Sequence, residues 1–184
     1  MFSKTKKAEG VVVGRKDFGE KDRIIVLFTK KSGKIRVLAK GIRKLGSSRA
    51  GSLELGNYVR ILLFSGKGWD IISEAEVKEY FPKEGVATGG MIILSELINI
   101  FLPENEKNEK VFDEFLKTTS FLKKGKIETL VFFEAKLLEL LGFGKSAEAE
   151  KFLQSGDLKQ AHILLRERIE NLAERKIKTL SYFQ

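Results

Sequence analysis

Apolar positions recur with two different periods along the chain, and the change falls near residue 81. Before it they form short runs of strand length. Residues 8–15 carry Val11-Val12-Val13, and residues 22–29 carry the unbroken run Ile24-Ile25-Val26-Leu27-Phe28, which predicts a strand covered on both faces. Lys31-Ser32-Gly33 is a turn signal. After it Lys34, Arg36 and Lys40 alternate with Ile35, Val37 and Ala39, predicting a strand with a cationic row on one face and core on the other. A Gly/Ser/Arg loop over 41–51 leads to two further strands, 57–64 and 69–80. They are joined by Ser65-Gly66-Lys67-Gly68, which lacks the spacing of a phosphate-binding loop and reads as a hairpin turn. Five short strands with a longer connection after the third predict a small barrel of the OB type. In such barrels strands 2 and 3, with nearby loops, form the usual oligonucleotide surface.

Phe81-Pro82 marks the switch, and from about Val86 the period is helical. Met91, Leu94, Leu97, Ile98 and Phe101 share one stripe that Pro103 ends. Asn105 is placed to cap the next helix, in which Val111, Phe112, Phe115, Leu116 and Leu122 recur. Residues 127–141 are apolar nearly all round and stop at Gly142, as a central buried helix would. Asp157 is placed to cap a last helix carrying Leu158, Leu165, Ile169 and Leu172. The expected fold is therefore α+β in two domains. A five-stranded OB-type β-barrel over residues 1–80 serves as a nucleic-acid-binding domain, and an all-α helical domain follows over 81–184.

Charge sharpens this picture. The 184 residues are 42% hydrophobic and 32% charged, which argues against a disordered tail or a membrane protein. The net charge is +9, and all of it falls in residues 1–80, where 18 basic side chains face 9 acidic ones. Between Arg23 and Leu53 there are nine basic residues and no acid at all. A charge run is ordinarily a solvated face, but a long stretch that excludes acids repels itself unless a polyanion offsets it. Nucleic acid is the expected partner. A membrane surface is the lesser option, because no basic amphipathic helix falls in this part. With no cysteine, disulfides and thiolate zinc sites are excluded, and the single histidine leaves almost no scope for imidazole metal sites or a Ser-His pair. No cofactor or metal is expected. Met1-Phe2-Ser3-Lys4 lacks the apolar run of a signal peptide, so a cytoplasmic, nucleoid-associated protein is expected.

The best DNA-contact candidates are Lys34, Arg36 and Lys40 on the third strand and Arg43, Lys44 and Arg49 in the loop after it. Cations at strand spacing displace condensed counterions and gain affinity with little sequence preference. The alternative is a sheet face kept soluble by lysine. Arg15 and Arg23 are open between phosphate contact and ion pairing with the adjacent Asp17, Glu20 and Asp22. Phe18, in the polar turn Asp17-Phe18-Gly19, is a candidate for base or partner contact. Tyr58 and Phe64 read as core, and Trp69 divides evenly. Ala87-Thr88-Gly89-Gly90 precedes a helix and is a weak anion site. His162 reads as a packed or surface residue, and no carboxylate pair stands out as a general acid and base.

The segment Glu9-Gly10-Val11-Val12-Val13-Gly14-Arg15-Lys16-Asp17-Phe18-Gly19-Glu20-Lys21-Asp22-Arg23, with the strand through Thr29, resembles the start of the bacterial RecO recombination mediators. Gly33-Lys34, Val37-Leu38-Ala39-Lys40-Gly41-Ile42-Arg43-Lys44 and Leu53-Glu54 are similar to the family's next segment. Phe133-Glu134-Ala135-Lys136-Leu137-Leu138-Glu139-Leu140-Leu141-Gly142-Phe143 is similar to its central helix, and Arg175-Lys176-Ile177-Lys178-Thr179-Leu180 to its end. One departure stands out: many members follow Leu-Gly-Phe with a four-cysteine zinc module, whereas Gly144-Lys145-Ser146 follows here, in a chain shorter than usual.

The resemblance implies a non-enzymatic mediator that binds single- and double-stranded DNA and anneals complementary strands. With RecR, it would help load RecA onto DNA coated by single-stranded DNA-binding protein. It also implies a site in the helical half for that protein's acidic, hydrophobic tail, with Lys123, Lys124 and Lys126 as the candidate basic rim. Two other readings compete. An RNA-binding OB module with a helical oligomerisation domain would bind structured RNA without annealing DNA. A metal-dependent nuclease or nucleotidyl transferase would need acids on the basic face, and residues 23–53 have none.

Overall fold

The computed structural model describes residues 5–177 apart from 45, 46, 48 and 67. The N-terminal Met1-Phe2-Ser3-Lys4, parts of the 41–51 loop, Lys67, and Lys178, Thr179 and Leu180 of the C-terminal resemblance lie outside the described residues. Five strands, β1 (Thr5–Phe18), β2 (Asp22–Thr29), β3 (Gly33–Ala39), β4 (Tyr58–Ser65) and β5 (Asp70–Glu79), precede five helices. The helices are α1 (Val86–Phe101), α2 (Glu109–Leu122), α3 (Thr129–Leu140), α4 (Ala147–Ser155) and α5 (Leu158–Ala173).

The strands close into a barrel in the order β1-β2-β3-β5-β4. All neighbours are antiparallel except β3 and β5, which run parallel and meet in register at Leu38 and Ile71. This is the OB arrangement that the strand count and the long third connection anticipate. β1 is longer than its apolar run because it serves two ladders. Its first half pairs with β4 and its second half with β2, with a register shift between Val12 and Gly14. Gly10 sits where the ladders overlap. A Cβ there would lie 2.3 Å from the Phe28 carbonyl oxygen, so only glycine lets β1 turn this close to β2.

The barrel interior is filled by Val12, Ile25, Leu27, Val37, Ala39, Val59, Ile61, Leu63 and Ile72, with Ile42 and Leu53 from the β3–β4 connection. β2 departs from the sequence expectation. Ile25, Leu27 and Phe28 are buried, but Ile24 and Val26 are only partly so, and its outer face is not fully covered.

The β3–β4 connection is held by a buried amide. Asn57 is 0% exposed. Its Nδ2 donates to the Gly51 and Ser52 carbonyls at 3.1 Å each, and its Oδ1 accepts the Phe81 N–H at 2.9 Å. Replacing Asn57 by alanine removes all three bonds, including the buried one from the Phe81 N–H, and we expect a loss of about 2–4 kcal/mol in chemical denaturation. A loss under about 1 kcal/mol would mean that water substitutes for the amide.

Contacts divide the chain into two compact units. The barrel unit includes Leu102–Glu109, and the helical unit comprises Lys83–Phe101 and the residues from Lys110 onward. Asn105 does not cap a helix. Its N–H donates to the Lys34 carbonyl at 2.8 Å and it joins the barrel unit, so α2 starts later, at Glu109. In the helical unit Phe112, Phe115, Phe133, Leu94, Leu97 and Leu137 are buried, with Phe115 and Phe133 edge to face at 6.3 Å. Gly90 is a packing residue, since a Cβ there would meet Leu122 at 2.7 Å. Asp157 caps α5 through the Gln160 N–H, as read from the sequence, and Ser146 caps α4, a helix the apolar pattern does not announce. α3 is not buried all round, for Phe132 is 48% exposed.

Candidate nucleic-acid interface

The turn between β1 and β2 and the loop after β3 are stitched together. Gly19 turns the hairpin with φ of 60°, setting Asp17 opposite Arg23 and Phe18 opposite Asp22. The loop docks onto this turn through three contacts: the Gly41 N–H donates to Asp22 Oδ1 at 2.7 Å, the Arg43 N–H to the Lys21 carbonyl at 3.0 Å, and the Arg43 guanidinium to the Gly19 carbonyl at 3.3 Å. Asp17 lies between two arginines, 2.7 Å from Arg23 and 3.4 Å from Arg43. The Arg23 hydrogen bond holds the Asp17 carboxyl below its ordinary value; desolvation opposes this, and the charges of Arg43, Arg23 and Arg15 assist. One carboxylate thus orients two guanidiniums and neutralises one of them. Lys40, Lys44, Lys16 and Lys21 are exposed at the same end, and Phe18 is 46% exposed beside them.

Two other candidate arginines are engaged by partners within the barrel unit. Arg49 donates to the Ile72 carbonyl at 2.6 Å and to the Lys40 carbonyl at 2.8 Å, tying the loop to β5 and to the end of β3. Arg15 pairs with Glu54 at 2.5 Å. For Arg15 and Arg23 the ion-pair alternative is the geometry found, although Arg23 takes Asp17 rather than Glu20 or Asp22.

Lys34 and Arg36 sit at the other end of β3, and the strand separates them from Lys40 by up to about 20 Å. The expected open row of cations is not formed. Lys34 is 4% exposed, and Leu38 on the same face is buried. The cause is the 102–109 segment, which bridges β3 at Lys34 through Glu104. That segment passes so close to Gly33 that a Cβ there would overlap the Glu106 carbonyl. Arg36 remains exposed but pairs with Glu104 at 2.7 Å. The acid-free stretch therefore meets acids brought from elsewhere in the chain: Asp17 at Arg23 and Arg43, and Glu104 at Arg36. Sequence reasoning missed Lys6 and Lys7 of β1, which line a cleft together with Arg36 and Trp69. The two are adjacent and point to opposite faces of β1, so no local alternation marks them. Tyr58 and Phe64 are half-buried on β4.

In the helical unit Lys124 and Lys126 lie over the Phe121 ring at 5.9 and 5.8 Å, and Lys123 is partly buried. A separate recess of about 110 Å3 is lined by Phe132, Leu138, Leu153 and Leu165, with Lys136, Lys145 and Arg168 at its edge. Lys136 and Lys145 pair with Glu139 and Glu150 at 2.9 Å each, and Arg168 donates to the Phe143 carbonyl. The Lys123, Lys124 and Lys126 cluster does not line this recess. His162 is packed, 1% exposed, with Nδ1 2.9 Å from Glu134 Oε2. Among the described residues no group of three or more His, Cys, Asp or Glu is arranged to hold a metal ion, and no helix is long and apolar enough to cross a membrane.

Two family models match the chain end to end: the recombination protein O N-terminal model over residues 1–81 and the C-terminal model over 82–183. Among curated proteins it is 31% identical over 170 residues to the DNA repair protein RecO of Symbiobacterium thermophilum, covering 85% of this chain and 66% of that one. It is 33% identical over 141 residues to the RecO of Pelotomaculum thermopropionicum, covering 74% and 55%. With that of Clostridium acetobutylicum it shares 37% over 150 residues, covering 74% and 58%. The chain thus spans between about half and two-thirds of the length of these relatives. With both models matched in order and an OB-type barrel followed by helices, the chain belongs to the RecO family, whose relatives named here are DNA repair proteins.

Proposed function

We propose that this chain works in DNA repair as a recombination mediator and not as an enzyme. Its barrel domain, taken as residues 1–80, holds single- and double-stranded DNA by the backbone and anneals complementary strands. Its helical domain, 81–184, meets protein partners. The partners follow from the family: RecR, with which it helps RecA onto DNA coated by single-stranded DNA-binding protein.

The observation that carries this reading is the grouping of Lys40, Arg43, Lys44 and Arg23 around the β1–β2 turn, beside exposed Phe18, on an OB-type barrel. Backbone contacts leave base edges available for pairing, which annealing requires. We assign the acidic, hydrophobic tail of single-stranded DNA-binding protein to the recess between Lys136, Lys145 and Arg168, because such a tail needs apolar walls as well as a basic rim.

The test is strand annealing followed by energy transfer between two end-labelled complementary oligonucleotides at low salt. We expect the protein to accelerate pairing, and to do so with strands coated by single-stranded DNA-binding protein. Neither binding nor acceleration would sink the reading. Tight binding to structured RNA with no effect on DNA pairing would replace it with an RNA-binding module.

A further inference from the structure

A cleft of about 690 Å3 opens in the barrel unit beside the point where β3 and β5 diverge from their single register contact. Its walls are the first residues of β1, the N-terminal part of β3 and the β4–β5 turn. Trp69 stands at the turn with partly buried Ile35 among the lining, and Lys6, Lys7 and Arg36 supply cations; Val37 and Leu63 behind them belong to the barrel core. A groove that sets an aromatic ring beside several cations is what a single nucleic-acid strand needs.

We propose that this cleft is a second DNA subsite, specific for single strands, in which one unstacked base packs on Trp69 while flanking phosphates sit at Lys7 and Arg36. It rests on the DNA reading above but uses a separate surface from the Lys40, Arg43 and Lys44 end. The cations already carry stand-ins for phosphate: Glu104 lies on Arg36 at 2.7 Å and Asp70 on Lys6 at 3.1 Å. Both pairs are exposed, and exposed ion pairs add little net stability. A phosphate therefore displaces Glu104 at small cost, and the entering strand also releases its condensed counterions. The Trp69 ring selects against duplex, whose bases are stacked and paired away from it, and favours a strand with a free π-face. A single ring holds a single base, so the nucleotides on either side stay free to pair.

Trp69 is the chain's only tryptophan, so its emission reports this cleft alone. The experiment titrates the protein with oligo-dT and follows two signals: anisotropy of a label on the DNA for total binding, and Trp69 emission for the cleft. We expect quenching by oligo-dT and not by a duplex of the same length. Lys7→Ala/Arg36→Ala should abolish the quenching. Trp69→Ala should weaken single-strand binding roughly five- to tenfold, and Trp69→Phe should retain most of it. Glu104→Gln, which frees Arg36, should tighten binding about twofold. Anisotropy without quenching would overturn the subsite and leave the mediator reading standing. Absence of any anisotropy change would overturn both. Quenching that survives Lys7→Ala/Arg36→Ala, or that polyglutamate produces equally, would overturn the subsite as well.

Discussion

Replacing Lys40, Arg43 and Lys44 together by alanine is expected to lower affinity for single-stranded DNA roughly a hundredfold at about 0.1 M salt. The plot of log affinity against log salt should become shallower by about 2. Both figures follow from losing three phosphate contacts at about 0.7 counterions each. These three residues are chosen because they are exposed at one end of the barrel, next to the turn that Arg43 braces through the Gly19 carbonyl. Arg49 is deliberately left out. Its guanidinium satisfies the Ile72 and Lys40 carbonyls, so Arg49→Ala would loosen the loop and weaken DNA binding for a reason unrelated to phosphate. Arg23 is left out on similar grounds, since its removal frees Asp17 to oppose the DNA.

Lys40→Arg/Lys44→Arg is the matching control. It keeps the charge and should keep the salt slope. An unchanged slope in the alanine variant, with a melting temperature equal to that of the natural sequence, would remove this end of the barrel from the interface. A slope that instead responds to Lys7→Ala/Arg36→Ala would transfer the interface to the cleft.

What the sequence reveals depends on the range of the interaction that decides each feature. β2 is legible to its ends, 22–29, because its apolar run lies between a glycine turn and Lys31-Ser32-Gly33, all local signals. β1 is not, because Lys6, Lys7 and Lys16 belong to the strand only through ladders with β4 and β2, which no local pattern encodes. Asn105 shows the same limit. Its position before a helical run suggests a cap, yet its N–H goes to the carbonyl of Lys34, in a distant strand.

An acid-free stretch in sequence is not acid-free in space: Asp17 reaches Arg23 and Arg43, and Glu104 reaches Arg36. Strand alternation correctly sets Lys34 and Arg36 apart from Ile35 and Val37, but the 102–109 segment then covers Lys34 from outside. Among the six candidates on β3 and its following loop, Lys40, Arg43 and Lys44 remain as an exposed group, the part of the row nearest the glycine-rich loop. Arg36 and Trp69 are each candidates in the sequence, but their grouping with Lys7 is not legible there, as the three come from separate strands or turns.

Glu134→Ala is expected to destabilise the helical unit by about 3–4 kcal/mol, the largest single-residue loss we anticipate. Glu134 on α3 and His162 on α5 are each 1% exposed, and the carboxylate accepts a hydrogen bond from His162 Nδ1 at 2.9 Å. In sequence each is an ordinary polar residue on a helix; only the packing of α3 against α5 encloses them together. Removing the carboxylate takes away a hydrogen-bond acceptor from an imidazole that water does not reach, at about 1–3 kcal/mol, and the deleted atoms leave a cavity that adds to it. For a chain of this length the loss corresponds to roughly 10 °C in melting temperature, read by far-UV circular dichroism, in which the helices dominate. The diagnostic comparison is Glu134→Leu/His162→Phe. Replacing both partners with apolar groups of similar volume removes the unmet hydrogen bond along with the pair, so the double variant should recover at least half of the loss. If the double variant is as unstable as Glu134→Ala, packing volume sets the cost and the hydrogen bond does not. If Glu134→Ala loses less than about 1 kcal/mol, the pair is incidental to the stability of the α3–α5 interface. A histidine this enclosed has no path to a substrate, so DNA binding and annealing by the Glu134→Ala protein, measured well below its melting temperature, should match those of the natural sequence.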